Sequence, residues 1–160
     1  MTQSVSFPSE AFPAFPEVSV QAPDDWQPIN AYGSVLAVAE PVEAGRFRSN
    51  VVVALSRFGA DYELKTAIEA VEKKFGEQTD IAVIGKEERE VLGVPGFRME
   101  VSFSDPRVGT LAQAVHIALI RSGGVSDLVQ ITGSAAGEHV KTVWPTIRGI
   151  LDSATTGAAA

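Results

Sequence analysis

The stretch LAQAVHIALIRSGGVSDLVQITG, residues 111–133, decides the fold class. Leu111 to Arg121 and Val125 to Gly133 are two runs of aliphatic and β-branched residues, the side chains that suit a pleated surface. Ser122-Gly123-Gly124 joins them, and its glycines permit the positive φ that a tight hairpin turn requires. The segment reads as an antiparallel hairpin.

Moving towards the N-terminus, Phe97, Met99, Val101 and Phe103 alternate on one face of a third strand that Asp105-Pro106 ends. Ile81 to Ile84 and Arg89 to Leu92 are expected to flank a solvated turn at Gly85-Lys86-Glu87-Glu88, with a break at Gly93-Val94-Pro95-Gly96. Before them, Leu64, Ile68, Val71 and Phe75 repeat at helical spacing between a cap at Asp61 and a stop at Gly76. That face should meet the sheet, and Ile68→Ala is expected to cost about 2–5 kcal/mol as a cavity mutation. Arg46 to Arg57 reads as a long strand with Phe47, Val51, Val53 and Leu55 on alternating positions. Ser34 to Ala39, stopped by Pro41 and a Glu43-Ala44-Gly45 turn, and Glu17 to Gln21 are shorter strands.

Beyond Gly133 a second helix is expected near residues 138–153, with Val140, Val143, Trp144, Ile147, Ile150 and Leu151 as its apolar stripe. Pro145 within it predicts a kink or a helix start near residue 144. The order predicts an α+β fold, an antiparallel sheet of at least five strands flanked by two main helices. Residues 1–16 read as an extended arm, 17–153 as a single domain and 154–160 as a flexible tail. In the arm, Phe7-Pro8, Phe12-Pro13 and Phe15-Pro16 each push the phenylalanine towards extended geometry. Two readings of it stand: a frayed terminus, or a Phe-Pro strap packed along the domain.

At 160 residues, 45% of them hydrophobic and 21% charged, the chain suits one globular core that buries about 70% of its unfolded surface. Its 13 Lys and Arg against 20 Asp and Glu give a net charge of −7, a field that repels nucleic acid and anionic membranes. With no cysteine, disulfides, thiolate chemistry and Cys-ligated zinc are excluded. No run reaches the roughly 18 apolar residues of a membrane span. Met1 to Glu10 lacks the charged and apolar regions of a secretory leader. The chain as written is therefore expected in the cytoplasm, or in the envelope or secreted if a leader has been removed.

Neither GxGxxG nor GxxxxGK(S/T) occurs, so a phosphate-cradling loop is not indicated. Gly133-Ser134-Ala135-Ala136-Gly137 has the wrong spacing for a nucleophile elbow, and Ser134 reads as a helix-start residue. His116 and His139 stand far apart with no metal-ligand spacing. His116 is expected to be satisfied or semi-exposed, and no metal, cofactor or catalytic residue is expected.

With Pro23-x-x-Trp26, Phe47-Arg48-Ser49-Asn50-Val51-Val52-Val53, Leu92-Gly93-x-Pro95 and Val129-Gln130-Ile131-Thr132-Gly133 in this order, the chain resembles the LpqN/LpqT family of actinobacterial proteins, part of the PsbP-like α/β/α sandwich superfamily. The resemblance covers about residues 18–152. It implies a non-enzymatic accessory or binding role in the cell envelope, although the lipid-accepting cysteine typical of such lipoproteins is missing here. Another protein is the expected partner. The alternative is a carrier of a small apolar or lipid-like ligand held between sheet and helix.

The candidate binding residues are Trp26, Arg48, Asn50 and Trp144. Aromatic and arginine side chains are the usual anchors of protein interfaces. Asn50 is a polar amide where the strand pattern calls for an apolar residue, so it either bonds a loop backbone or points into a cleft beside Trp26.

Overall fold

The computed structural model describes residues 1–42 and 45–157. Glu43 and Ala44 of the expected turn, and residues 158–160 of the expected tail, lie outside the described residues. The chain order is β1 (Val18–Ser19), β2 (Gln27–Pro28), β3 (Leu36–Ala39), β4 (Asn50–Gly59), α1 (Leu64–Gly76), β5 (Thr79–Val91) and β6 (Val94–Asp105). There follow β7 (Gly109–Ser122), β8 (Val125–Ala136), a 3-10 turn at Gly137–His139, α2 (Val140–Asp152) and β9 (Thr155–Thr156).

Seven strands form one sheet in the order β2-β3-β4-β8-β7-β6-β5, and β1 with β9 make a two-stranded ribbon. Every neighbouring pair is antiparallel. From β4 the chain crosses through α1 to the far edge at β5, and three successive hairpins walk back until β8 lies beside β4. The hairpin that decides the fold class closes at Ser122↔Val125, with Gly123 at φ 58°, a value open to glycine without steric cost.

Directly paired residues share a face, and the face alternates along each strand. One face sets Val51, Val53, Val129, Ile131, Ala114 and Ala118 against Val143, Trp144, Ile147, Ile150 and Leu151 of α2. The other sets Phe97, Met99, Val101, Phe103, Val115 and Ile117 against Ala67, Val71 and Phe75 of α1. The result is a helix–sheet–helix sandwich, which explains why β7 is apolar at consecutive positions: both of its faces are covered.

Several local expectations change. Residues 79–91 form one edge strand, not a hairpin, because Gly85 sits at a register shift and the chain bulges there without turning back. The charges that suggested a solvated turn are solvated on that edge strand. The break expected at residues 93–96 is a two-residue turn at Leu92 and Gly93, since Val91 pairs with Val94. β4 begins at Asn50, leaving residues 46–49 outside the ladder.

In α1 the N-cap is Glu63, without a side-chain cap bond, in place of Asp61. Ala67 takes the deepest position on that helix while Leu64 and Ile68 are half-buried. Ile68→Ala is therefore expected to cost about 1 kcal/mol, below the cavity range, and a urea-melt loss above about 2 kcal/mol would show that the helix packs more deeply. In α2 the late start does not appear: the helix runs through Pro145 from Val140. Pro145 and Lys141 are both exposed, so the carbonyl that loses its i→i+4 donor is solvated.

At the chain ends, Thr155–Thr156 pairs with Val18–Ser19. Residues 1–16 contain no strand or helix, and they lie against the sheet at Arg57, whose guanidinium bonds the Pro13 carbonyl at 2.7 Å.

Candidate functional site

α1 lies over β6 and β7, so the same face of β4 and β8 is left without a helix. Register places Asn50, Val52 and Ala54 of β4 opposite Ser134, Thr132 and Gln130 of β8, and Gln113 of β7 opposite Ser134. All seven therefore point to the α1 side. Between three of them, Gln113, Gln130 and Thr132, and Ala70, Val71, Lys74 and Phe75 of α1 runs a groove of about 260 Å³. Its apolar floor includes Leu128, and its wall is amide and hydroxyl: Gln113 Nε2 donates to Ser134 Oγ at 3.0 Å, and Gln130 Nε2 to Thr132 Oγ1 at 3.5 Å. Such a surface offers both donors and acceptors without a fixed charge, apart from Lys74 at the rim.

The opposite face carries a charged cluster beside α2. Glu100 is buried, accepts from Arg148 Nε and Nη2 at 2.9 and 2.6 Å, and takes the Trp144 indole N–H at 3.3 Å. Hydrogen bonding from Arg148 holds the Glu100 carboxyl below its usual pKa, against the burial that would raise it. Arg98 joins Glu100 at 3.4 Å and Glu87 at 2.8 Å, and Arg89 meets Asp152 at 3.4 Å. Beneath them His116 is buried, and burial first, then the Arg89 charge, push its pKa down to about 4. Each carboxylate here has an arginine partner, and the arrangement ties α2 to β5 and β6. Among the described residues no group of three or more His, Cys, Asp or Glu side chains is placed to hold a metal ion.

No sequence-family model matches the chain, and no curated protein matches it. Solved structures do. The crystal structure of LpqN, involved in cell envelope biogenesis of Mycobacterium tuberculosis, superposes with a TM-score of 0.77 at 16% identity, covering 90% of this chain and 85% of LpqN. Cyanobacterial PsbP from Synechocystis gives 0.53 at 15% identity over 95% and 96% of the two chains. The chain has an LpqN- and PsbP-like fold. The Saccharomyces cerevisiae Ran-binding protein Mog1p also superposes, with a TM-score of 0.54 at 10% identity over 86% and 88%.

Within the LpqN-like fold the four candidate binding residues do not converge. Trp26 and Trp144 are buried in the core under α2, so neither ring can anchor a partner at the surface. A large aromatic ring suits an interface anchor, and the same size fills the core here. Arg48 lies at the β2–β3 edge, where its Nε donates to the Glu40 carbonyl at 2.8 Å and Nη2 to Gln27 Oε1 at 2.9 Å. Asn50 Nδ2 donates to the Arg48 carbonyl at 2.9 Å, and its register puts it on the α1 side of the sheet, away from Trp26. Ser134 stands in β8, not at a helix start. His116 is buried, not semi-exposed, because α2 and the charged cluster cover that face of the LpqN-like sheet.

The groove residues Gln113, Gln130 and Thr132 were missed. Their signal was available as polar interruptions at alternating positions of β7 and β8, but only the register brings the two strands' interruptions together. No helix among the described residues is long and apolar enough to cross a membrane.

Proposed function

We propose that this chain is a non-enzymatic, protein-binding accessory domain that meets its partner along the uncovered β4–β8 face beside α1. The observation that carries this reading is the groove's lining: half-buried Gln113, Gln130 and Thr132 above Val71, Phe75 and Leu128. Amides and hydroxyls over an apolar floor suit a partner's main chain, which brings its own donors and acceptors. In this groove a lipid-like ligand is less well served, because the volume of about 260 Å³ falls below the roughly 300–1,000 Å³ of pockets that enclose small molecules. The Ran-binding description of Mog1p and the envelope-biogenesis description of LpqN accord with a binding role and, for the latter, with the envelope as the place of action. Arg48 and Asn50 would extend the contact at the β3 end.

The test is a photo-crosslinking residue at Gln130, with the same residue at Lys141 on the exposed side of α2 as control. A discrete protein adduct is expected from Gln130 alone. Thr132→Arg should abolish that adduct while the protein stays folded, with a stability loss of no more than about 2 kcal/mol for this half-buried position. Equal adducts from both positions would refute the groove. Turnover of simple ester or phosphate substrates that is lost on replacing Ser134 or His139 would refute the non-enzymatic reading.

A further inference from the structure

The Phe-Pro arm is attached to the body in an unusual way. Among the described residues, every hydrogen bond from residues 1–16 to the rest of the chain is made by one side chain, Arg57. Its Nη1 donates to the Pro13 carbonyl at 2.7 Å and its Nη2 to the Ala14 carbonyl at 3.4 Å. The Phe15 ring centre lies 4.2 Å from the guanidinium carbon and the Phe7 ring centre 6.0 Å, and the two rings pack against each other at 5.9 Å. Arg57 is itself held from below: Asp127, 1% exposed, takes Nε at 2.7 Å and Nη2 at 2.8 Å. That bidentate pairing fixes the plane of the guanidinium. The remaining N–H groups and the cationic face are left to read whatever lies above.

What they read is generic in one respect and selective in another. The two carbonyls, of Pro13 and Ala14, belong to a segment outside helix and strand, and proline biases such a segment towards an extended, polyproline-like shape before it binds. The stacking position asks for an aromatic ring next to those carbonyls. The arm meets both demands without joining the core, since Phe7, Phe12 and Phe15 remain 57%, 47% and 42% exposed. It behaves as a tethered ligand, docked at one point.

We propose that the Arg57–Asp127 pair is a peptide-docking site for extended aromatic–proline segments, occupied here by the chain's own residues 13–15. The site lies on the α2 side of the sheet, where Arg57 pairs with Asp127 across β4 and β8, opposite the groove. The two readings therefore stand or fall separately.

The test uses the full chain and a synthetic peptide of its residues 6–17. In the unaltered chain the backbone order parameters of Phe12, Ala14 and Phe15 should lie above about 0.6, and in Arg57→Ala they should fall below it. Phe15→Ala keeps the Arg57–Asp127 pair and removes only the stacked ring, so it guards against a fold defect in the first variant. It should weaken the tethered arm about tenfold and let the free peptide compete at about 1 mM, the scale of a short tether's effective concentration. Peptide added to Phe15→Ala should then shift the Arg57 Nε–H resonance. A peptide with alanine in place of Phe15 should bind about tenfold more weakly. An arm that stays ordered in Arg57→Ala, or an Arg57 resonance unmoved by peptide in Phe15→Ala, would overturn the proposal.

Discussion

Ile147→Ala is expected to destabilise the protein by about 2–5 kcal/mol. Ile147 is fully buried in the centre of α2 and belongs to the core between that helix and β4, β7 and β8. Its packing partner is backbone as much as side chain. A Cβ added at Gly133 would overlap Ile147 Cγ2 and lie 3.1 Å from Leu151 Cδ1, so the isoleucine methyl occupies the space a side chain on β8 would need. The two positions are therefore coupled. Gly133→Ala alone should cost about 1–3 kcal/mol as overpacking. In the Ile147→Ala background the same added methyl enters vacated volume, so its cost should shrink or change sign. Urea denaturation of the four proteins gives the cycle, and a coupling energy smaller than about 0.5 kcal/mol would show that α2 does not seat on Gly133 in this way.

The second large effect is on pH dependence. In the folded chain the His116 pKa is pushed down to about 4, against about 6.5 for an unfolded histidine. The imidazole is buried, the Arg89 and Arg98 charges oppose its protonation, and Asp152 and Glu100 only partly offset them. Between those two values the unfolded chain binds a proton that the folded chain does not, so stability falls as the pH falls. The contribution is complete above about pH 6.5 and lost by about pH 4, a change of about 3 kcal/mol from this one group. Glu100 acts in a lower window: its depressed folded pKa adds stability that is present above the ordinary carboxylate pKa of about 4.3 and lost as the pH falls through the folded value. Urea melts at pH 7.5 and 4.5 should separate the unaltered protein from His116→Gln, which carries no titrating ring. An identical drop in both would mean that His116 is not the group responsible.

The edge strand and the groove depend on contacts that no local pattern encodes. Alternation at Phe97, Met99, Val101 and Phe103, the stripe on α2 and the Gly123 turn are local signals, each set by a few neighbouring residues, and each was legible. Gly85 followed by five charged residues, Lys86 to Glu90, looks the same in a turn and at a bulge on a sheet edge. Which of them forms depends on whether β6 is there to pair with, a fact located ten or more residues away.

Binding residues met a similar limit. Residue type points to Trp26, Arg48 and Trp144, and a broken strand pattern to Asn50, but neither signal says which helix covers a side chain. By itself the sequence determined the α+β class, the two helices, the fold-deciding hairpin and the LpqN-like order of elements, because period, turn chemistry and apolar stripes act over short range. Only the tertiary structure decided that both tryptophans fill the α2-side core. The same structure set Gln113, Gln130 and Thr132 along one groove and placed Arg57 under the Phe-Pro arm. Those placements follow from strand register and from the share of the sheet that each helix can cover, and both are fixed by contacts between residues far apart in the chain.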